Sequence, residues 1–458
     1  MQTPGALDPA FRTPTMSLKD RIGRILGDGL FRGVSVSFGL RLVSMALLWL
    51  TAVLLGRMLG LANFGTYAFL TSLVAVLRLP ATFGTPMLMV REVGAARATE
   101  DWGRMRGVAT WALRFVLLTS IPIALAVAVA LIFFPHLVPP HLHGALAWSV
   151  GLVVLAPMAA IRGGILRGLK QVVAGQLPEQ LVQPLTMLLL LCIPLVMGLQ
   201  AISPADAMAA NVISTGAAWL VGGLILMRVW PRAARAATPV MDGKRWSRSL
   251  LPMGFGNAMY HLDGQVAVLV LGLVAANEQT GLFKAASQFA LFAGLGYSVV
   301  NVNVSPRLAA SFAKGDMARL QYTVTRGARL SLVYCLPAAL GLSALGGWVL
   351  GLTMGAEFAS AWLPLVILCL GHLVNAAFGS ASALLNMTHH ESRNTVGFGI
   401  GLAVNVALTL ALSPTFGAPG AATAAAAGVI ARNLYLWWIA RRLTGLDTSV
   451  FGLPAKTV

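Results

Sequence analysis

Long apolar runs constrain this chain more than any other feature. A helix that crosses the hydrocarbon of a bilayer needs about 20 mostly apolar residues. Twelve such segments can be read: 34–57, 66–90, 109–134, 144–166, 179–199, 206–228, 249–274, 281–305, 327–351, 360–385, 395–414 and 419–440. Only 10% of the 458 residues are charged, against about 25% in a soluble domain. That is too little polar surface to keep a chain of this size in water. The sequence predicts an all-α polytopic membrane protein of about twelve helices.

The charges between the runs set its orientation. Arg21 and Arg24 precede the first run. Alternate connections then hold Arg91, Arg97, Arg104 and Arg106; Arg167 and Lys170; Arg232, Arg235, Lys244 and Arg245; Arg307, Lys314 and Arg319; Arg393; and finally Arg441, Arg442 and Lys456. Loops 135–143, 200–205, 275–280, 352–359 and 415–418 contain no Lys or Arg, and Arg57 alone borders the first of that set. The positive-inside rule places the basic set, and both termini, in the cytoplasm. The formal net charge of +18 therefore reflects topology. A nucleic-acid partner is excluded, because the cations are not gathered on one basic domain.

These boundaries predict a cytoplasmic arm at 1–33, a first lobe at 34–228, a cytoplasmic linker at 229–248, a second lobe at 249–440 and a cytoplasmic tail at 441–458. In the arm, Leu18, Ile22, Ile25 and Leu26 share one helical face opposite Lys19, Asp20, Arg21 and Arg24. This fits either a short interfacial helix or a solvated arm. No cleavable signal peptide is visible, and Met16 is a second candidate start beside Met1. Cys192, Cys335 and Cys369 lie in apolar runs and read as small buried hydrophobes.

The two halves repeat each other. Gly65-Thr66-Tyr67 corresponds to Gly281-Leu282-Phe283, and Arg91 and Arg307 each follow their glycine by 26 residues. One residue later in register, Asp101-x-x-Arg104 matches Asp316-x-x-Arg319, Arg114 matches Arg329, and Pro122 matches Pro337. Six spans is an even number, so both halves share one orientation: two parallel six-helix lobes around a central cavity, a transporter architecture. Arg91, Arg307, Asp101, Asp316, Arg104 and Arg319 fall at the cytoplasmic ends, where they set topology or a gate.

Charges inside spans cost several kcal/mol unless they face protein, water or a ligand. The candidates are Arg78 near the middle of span 2, Arg41 in span 1, Asp263 in span 7, Lys284 in span 8 and Arg432 in span 12. In the repeat register, Arg41, Arg78 and Lys284 have uncharged counterparts in Asn257, Gly294 and Ala68. A net-positive, partly dry cavity suits an anion. The competing reading is structural: Arg78 paired with Asp263, and the others near enough to helix ends to snorkel. Pro80, Gly84 and Pro86 in span 2, Pro184 and Pro194 in span 5, and Pro252 to Gly256 in span 7 are candidate kinks. Gly164/Gly168, Gly347/Gly351 and Gly397/Gly401 are spaced for close helix packing. No catalytic motif is present, His141-x-His143 and His389-His390 lack further metal ligands, and nothing indicates a cofactor.

Residues 57–67, Arg-Met-Leu-Gly-Leu-Ala-Asn-Phe-Gly-Thr-Tyr, resemble the "R-x-L-G-x-x-x-F-G-x-Y" signature of Wzx-type polysaccharide-biosynthesis flippases. These belong to the multidrug/oligosaccharidyl-lipid/polysaccharide (MOP) exporter superfamily. Leu262-Asp263 and Gly281-Leu282-Phe283-Lys284-Ala285-Ala286 are similar to the family's "I-D" and "G-x-Y-x-A-A" patterns, with Phe283 for the commoner Tyr and Gly264 where a basic residue is common. The resemblance covers nearly the whole chain. It implies alternating-access movement of an undecaprenyl-pyrophosphate-linked oligosaccharide, such as an O-antigen (lipopolysaccharide) or exopolysaccharide repeat unit, across the bacterial inner membrane. Membrane lipids, a polymerase and other assembly proteins would be the partners. The alternatives are a multidrug or cation antiporter of the same superfamily, which would want buried carboxylates, and a membrane-embedded polymerase or glycosyltransferase.

Overall fold

A computed structural model describes residues 29–137, 139–199 and 201–452; the amphipathic stretch at 18–26 and Lys456 lie outside them. The first lobe comprises α1 (Gly29–Leu77), α2 (Leu79–Thr82), α3 (Thr85–Ala98), α4 (Trp102–Phe133), α5 (Pro140–Gly168), α6 (Val172–Leu177), a π turn (Pro178–Val182), α7 (Gln183–Val196) and α8 (Pro204–Val229). A short α9 (Arg232–Ala236) leads into the second lobe. That lobe is α10 (Gly243–Val274), α11 (Asn277–Ala313), α12 (Met317–Met354), α13 (Trp362–Phe378), α14 (Ala381–Met387) and α15 (Glu391–Thr444). Ten helices among the described residues are long and apolar enough to cross a membrane. Two of them, α1 and α15, are each broken at a non-helical glycine, Gly60 and Gly417. Each counts as two spans, which gives twelve.

Span 2 is interrupted where its helix breakers cluster. Arg78 precedes the four-residue α2, and Gly84, at φ 65°, precedes α3. A left-handed residue cannot continue a right-handed helix, and glycine adopts it without a Cβ penalty. The Pro252–Gly256 segment leaves no comparable break, since α10 runs unbroken through it.

The repeat is visible in backbone hydrogen bonds. Asp101 N–H donates to Ala96 O and Trp102 N–H to Glu100 O; Asp316 N–H donates to Ser311 O and Met317 N–H to Gly315 O. Glu100 and Gly315 both have positive φ. Each aspartate caps the next helix, accepting from Arg104 N–H and Arg319 N–H respectively at 2.9 Å, as an N-cap carboxylate does. Counted back from these turns, Arg307 corresponds to Glu92; counted forward from Gly65 and Gly281, it corresponds to Arg91.

The lobes share one core at the end away from the basic residues. There Leu55, Leu59, Phe64 and Ala68 pack with Leu271, Phe283, Phe289 and Phe358. At the basic end the cores are separate. One gathers Leu88, Met105 and Ile165 of the first lobe around Trp246 and Leu250 from the start of α10, and the other is centred on Leu308, Leu320, Leu384 and Ile439. The basic ends touch where the Phe83 and Phe255 rings meet edge-on at 5.7 Å. The linker is strapped to the first lobe, with Arg106 donating to the carbonyls of Arg235 and Ala237 at 2.8 and 2.7 Å and Val240 N–H donating to Gly103 O. The tail is fixed likewise: Gln321 and Asp447 exchange hydrogen bonds of 2.7 and 2.8 Å.

The small-residue pairs sit at close crossings. A Cβ on Gly164 would come within 2.6 Å of Pro86 O, one on Gly347 within 3.3 Å of Trp362, and one on Gly397 within 2.5 Å of Leu436. Cys335 and Cys369 are buried, but Cys192 is exposed. An apolar run does not reveal which of its faces turns away from the protein.

Candidate functional site

Of the five intramembrane charges singled out in the sequence, the structure joins two. Asp263 on α10 and Arg432 on the second half of α15 approach to 3.7 Å. Both side chains are largely buried, at 16% and 14% exposure. Asn405 Nδ2 donates to Asp263 Oδ1 at 2.9 Å, and Thr409 Oγ1 donates to Asn405 Oδ1 at 3.1 Å. Asn375 on α13 accepts from Asn433 at 2.9 Å and from Arg432 Nη2 at 3.5 Å. The Arg432 guanidinium also lies 4.9 Å from the Phe398 ring centre, a cation–π distance. Glycine makes the crossing possible. A Cβ on Gly428 would sit 2.7 Å from Gly401 O, and one on Gly401 would sit 3.0 Å from Arg432 Cβ. The result is a polar seam inside the second lobe, running across α10, α13 and both halves of α15.

Arg78 does not pair with Asp263. Its carbonyl accepts from Thr82 Oγ1 at 3.0 Å. Among the described residues the guanidinium has no carboxylate partner. Arg78 stands at the interruption of span 2, directly before α2. Lys284 is half-buried on α11, and Arg41 is exposed near the basic end of α1; neither has an ion-pair partner among the described residues.

The sequence reading missed a second ion pair, between a buried arginine and a half-buried glutamate. Arg162 on α5 is 4% exposed. It donates to the carbonyls of Ala218 and Trp219 on α8 at 2.9 and 2.6 Å and pairs with Glu179 in the π turn. In the sequence both residues fall at the edges of their spans and look like end charges. The local signal is Pro178, beside Glu179 at the start of the π turn, since such turns gather at functional sites. Arg162 also borders an apolar cavity of about 610 Å³ between α4, α5 and α8, lined by Thr110, Met158, Trp219 and Gly223.

At the basic end, Glu92 takes both neighbouring cations, Arg91 at 2.9 Å and Arg104 at 2.5 Å. Burial pushes its carboxyl up, but the Arg104 and Arg91 bonds and charges outweigh that and hold it below the usual carboxylate range. Of the six basic-end candidates, Arg91 and Arg104 meet on Glu92, while Asp101 and Asp316 serve as helix caps.

Residues 30–311 match the family model described as "Polysaccharide biosynthesis protein". A curated relative, the probable low-salt glycan biosynthesis flippase Agl15 of Haloferax volcanii, is 21% identical over 81% of this chain and 75% of its own length. The fold is similar to that of an inward-facing multidrug resistance MATE family transporter of the MOP superfamily. The TM-score is 0.70 at 12% identity, over 88% of this chain and 94% of that one. It is similar also to the lipid II flippase MurJ in an inward closed conformation, with a TM-score of 0.63 at 14% identity over 89% and 86% of the two chains. The chain thus carries the MOP fold, and with more than half of its length matched by one family model it belongs to the polysaccharide biosynthesis protein family.

Proposed function

We propose that the chain is a flippase for a lipid-linked glycan, moving an undecaprenyl-pyrophosphate-linked oligosaccharide from the inner to the outer leaflet of a bacterial cytoplasmic membrane. The observation that carries this reading is the unequal distribution of buried charge. Asp263 is held by Arg432, and Glu179 by Arg162, whereas Arg78, at the break in span 2, has no described carboxylate to neutralise it. The interior between the lobes is thereby left cationic, which suits a pyrophosphate. An exporter of cations would want an uncommitted buried carboxylate instead. Family membership, and the description of the Haloferax volcanii relative as a probable glycan biosynthesis flippase, support a glycan as the cargo.

In this reading Arg78, with Arg41 and Lys284, contacts the pyrophosphate or the sugars. The Asp263–Arg432 pair sets the shape and potential of the second lobe's wall. Arg91, Arg307, Asp101, Asp316, Arg104 and Arg319 mark the cytoplasmic end. A core shared at one end and divided at the other is the arrangement expected of lobes that rock about their joined end. The lipid tail stays in the bilayer and the glycan crosses between the lobes. Catalysis of a bond change plays no part.

The test is reconstitution. Proteoliposomes containing the purified chain and a fluorescent lipid-linked oligosaccharide should expose the probe to a membrane-impermeant quencher, and protein-free liposomes should not. Equal accessibility with and without protein would overturn the flippase reading. New glycosidic bonds on incubation with sugar nucleotides would point to a glycosyltransferase.

A further inference from the structure

The repeat exposes an exchange of charge sign at the basic ends of the two lobes. In the first lobe the buried Glu92 on α3 receives Arg104 from the first turn of α4 at 2.5 Å. Counted from the matching turns, Arg307 on α11 corresponds to Glu92, and Arg319 on α12 corresponds to Arg104. A salt bridge in one lobe is thus two like charges in the other. Arg307 and Arg319 line one pocket of about 280 Å³, together with Lys314, Asp316 and Tyr322. The only carboxylate there, Asp316, is committed to capping α12 through Arg319 N–H at 2.9 Å. Among the described residues none of the three cations has an ion-pair partner.

An adjoining pocket of about 270 Å³ shares Arg307 and Tyr322 and adds Arg326, Val304 and Leu330. Arg326 is held at the rim by its hydrogen bond to the Tyr322 hydroxyl. Arg307, Lys314 and Arg319 are exposed, and like charges gathered in one pocket attract an anion to it. Guanidinium groups suit phosphate oxygens, which they bind in bidentate fashion.

We propose that this pocket, separate from the intramembrane cations, binds a phosphate-bearing anion through Arg307, Lys314 and Arg319. The apolar walls at Val304 and Leu330 fit the headgroup of an anionic phospholipid whose acyl chains continue along α11 and α12. Inorganic phosphate offers the same oxygens without the chains.

The experiment uses the full-length chain in nanodiscs, and reads thermal unfolding as phosphatidylglycerol replaces phosphatidylcholine or as inorganic phosphate is added. An anion bound to the folded state raises the unfolding temperature by mass action. A rise with phosphatidylglycerol alone identifies a lipid headgroup, and a rise with inorganic phosphate identifies a free anion. Arg307→Glu restores the first lobe's arrangement by giving Arg319 a carboxylate, and it should fold while losing the rise. Arg319→Gln should weaken the apparent affinity by about tenfold, the loss of one charge-assisted contact. Lys170→Glu, on the basic end of the first lobe, changes the net charge as much as Arg307→Glu and should keep the rise. No rise with either anion, or a rise that Arg307→Glu and Arg319→Gln both leave intact, would overturn the proposal.

Discussion

Gly65 and Gly281 face each other's helices across the lobe interface in a near-symmetric crossing. A Cβ on Gly65 would lie 1.8 Å from Asn277 O, and one on Gly281 would lie 2.5 Å from Leu61 O. The two glycines are repeat partners, and so are the two residues whose carbonyls they meet. The joint therefore sits where the pseudo-two-fold relation brings equivalent positions together.

Gly281→Ala should force the joined end apart. The obstacle is backbone carbonyl, which cannot rotate away as a side-chain tip can. Overpacking of this kind costs about 1–3 kcal/mol. A lower unfolding temperature in detergent, with weaker cross-linking of cysteines introduced at Leu61 and Asn277, is the expected result. Unchanged behaviour would show that the contact is not closed in the membrane.

Arg78→Ala should abolish transport while leaving expression and insertion intact. Arg78→Lys should retain a fraction, because an ammonium cannot reproduce bidentate phosphate contacts. The double variant Arg78→Ala with Asp263→Ala should not recover activity, since Asp263 serves Arg432. Recovery in the same proteoliposome assay would refute the separation of the two groups.

Arg432→Ala leaves Asp263 without its counter-charge, and breaking a buried pair costs about 3–5 kcal/mol. Removing both charges together, as Arg432→Met with Asp263→Asn, should restore much of the lost thermal stability. A single variant as stable as the parent would mean that the 3.7 Å approach contributes nothing.

Acid should release the basic-end fastenings. Glu92 is held below the usual carboxylate range by Arg104 and Arg91 against the opposing effect of burial. Asp447 is likewise pushed up by burial but lowered further by the Trp437 indole and the Ser449 N–H. A depressed folded-state value means stability that is present above the unfolded carboxyl pKa of about 4 and lost as pH falls through the folded value. Unfolding temperature should thus drop on acidification below about pH 4, and Glu92→Gln should flatten that drop while lowering the plateau.

Reporter fusions after Ser203 and Gly417 should read extracytoplasmic, and those after Arg97, Arg235 and Lys314 cytoplasmic. One fusion on the wrong side would break the orientation drawn from the charge alternation.

Twelve spans, two lobes and the repeat were legible in the chain because lipid imposes a length and hydropathy rule on every crossing, whatever its neighbours. The break near Arg78 was legible too, since proline and glycine act locally. Which charges meet was not. Asp263 and Arg432 are 3.7 Å apart only because Gly401 and Gly428 let the two halves of α15 close on α10, and no local pattern encodes that crossing. Arg162 and Glu179 escaped notice for the same reason: one ion pair joins two helices whose facing sides the sequence does not mark. The alignment of Arg307 with Glu92 is counted from the matching turns at 96–102 and 311–317, whose backbone hydrogen bonds no residue pattern marks. Sequence by itself determined how often the chain crosses the membrane and where its charge collects. Tertiary packing decided which of those charges are neutralised, because pairing depends on distances between helices that are remote along the chain.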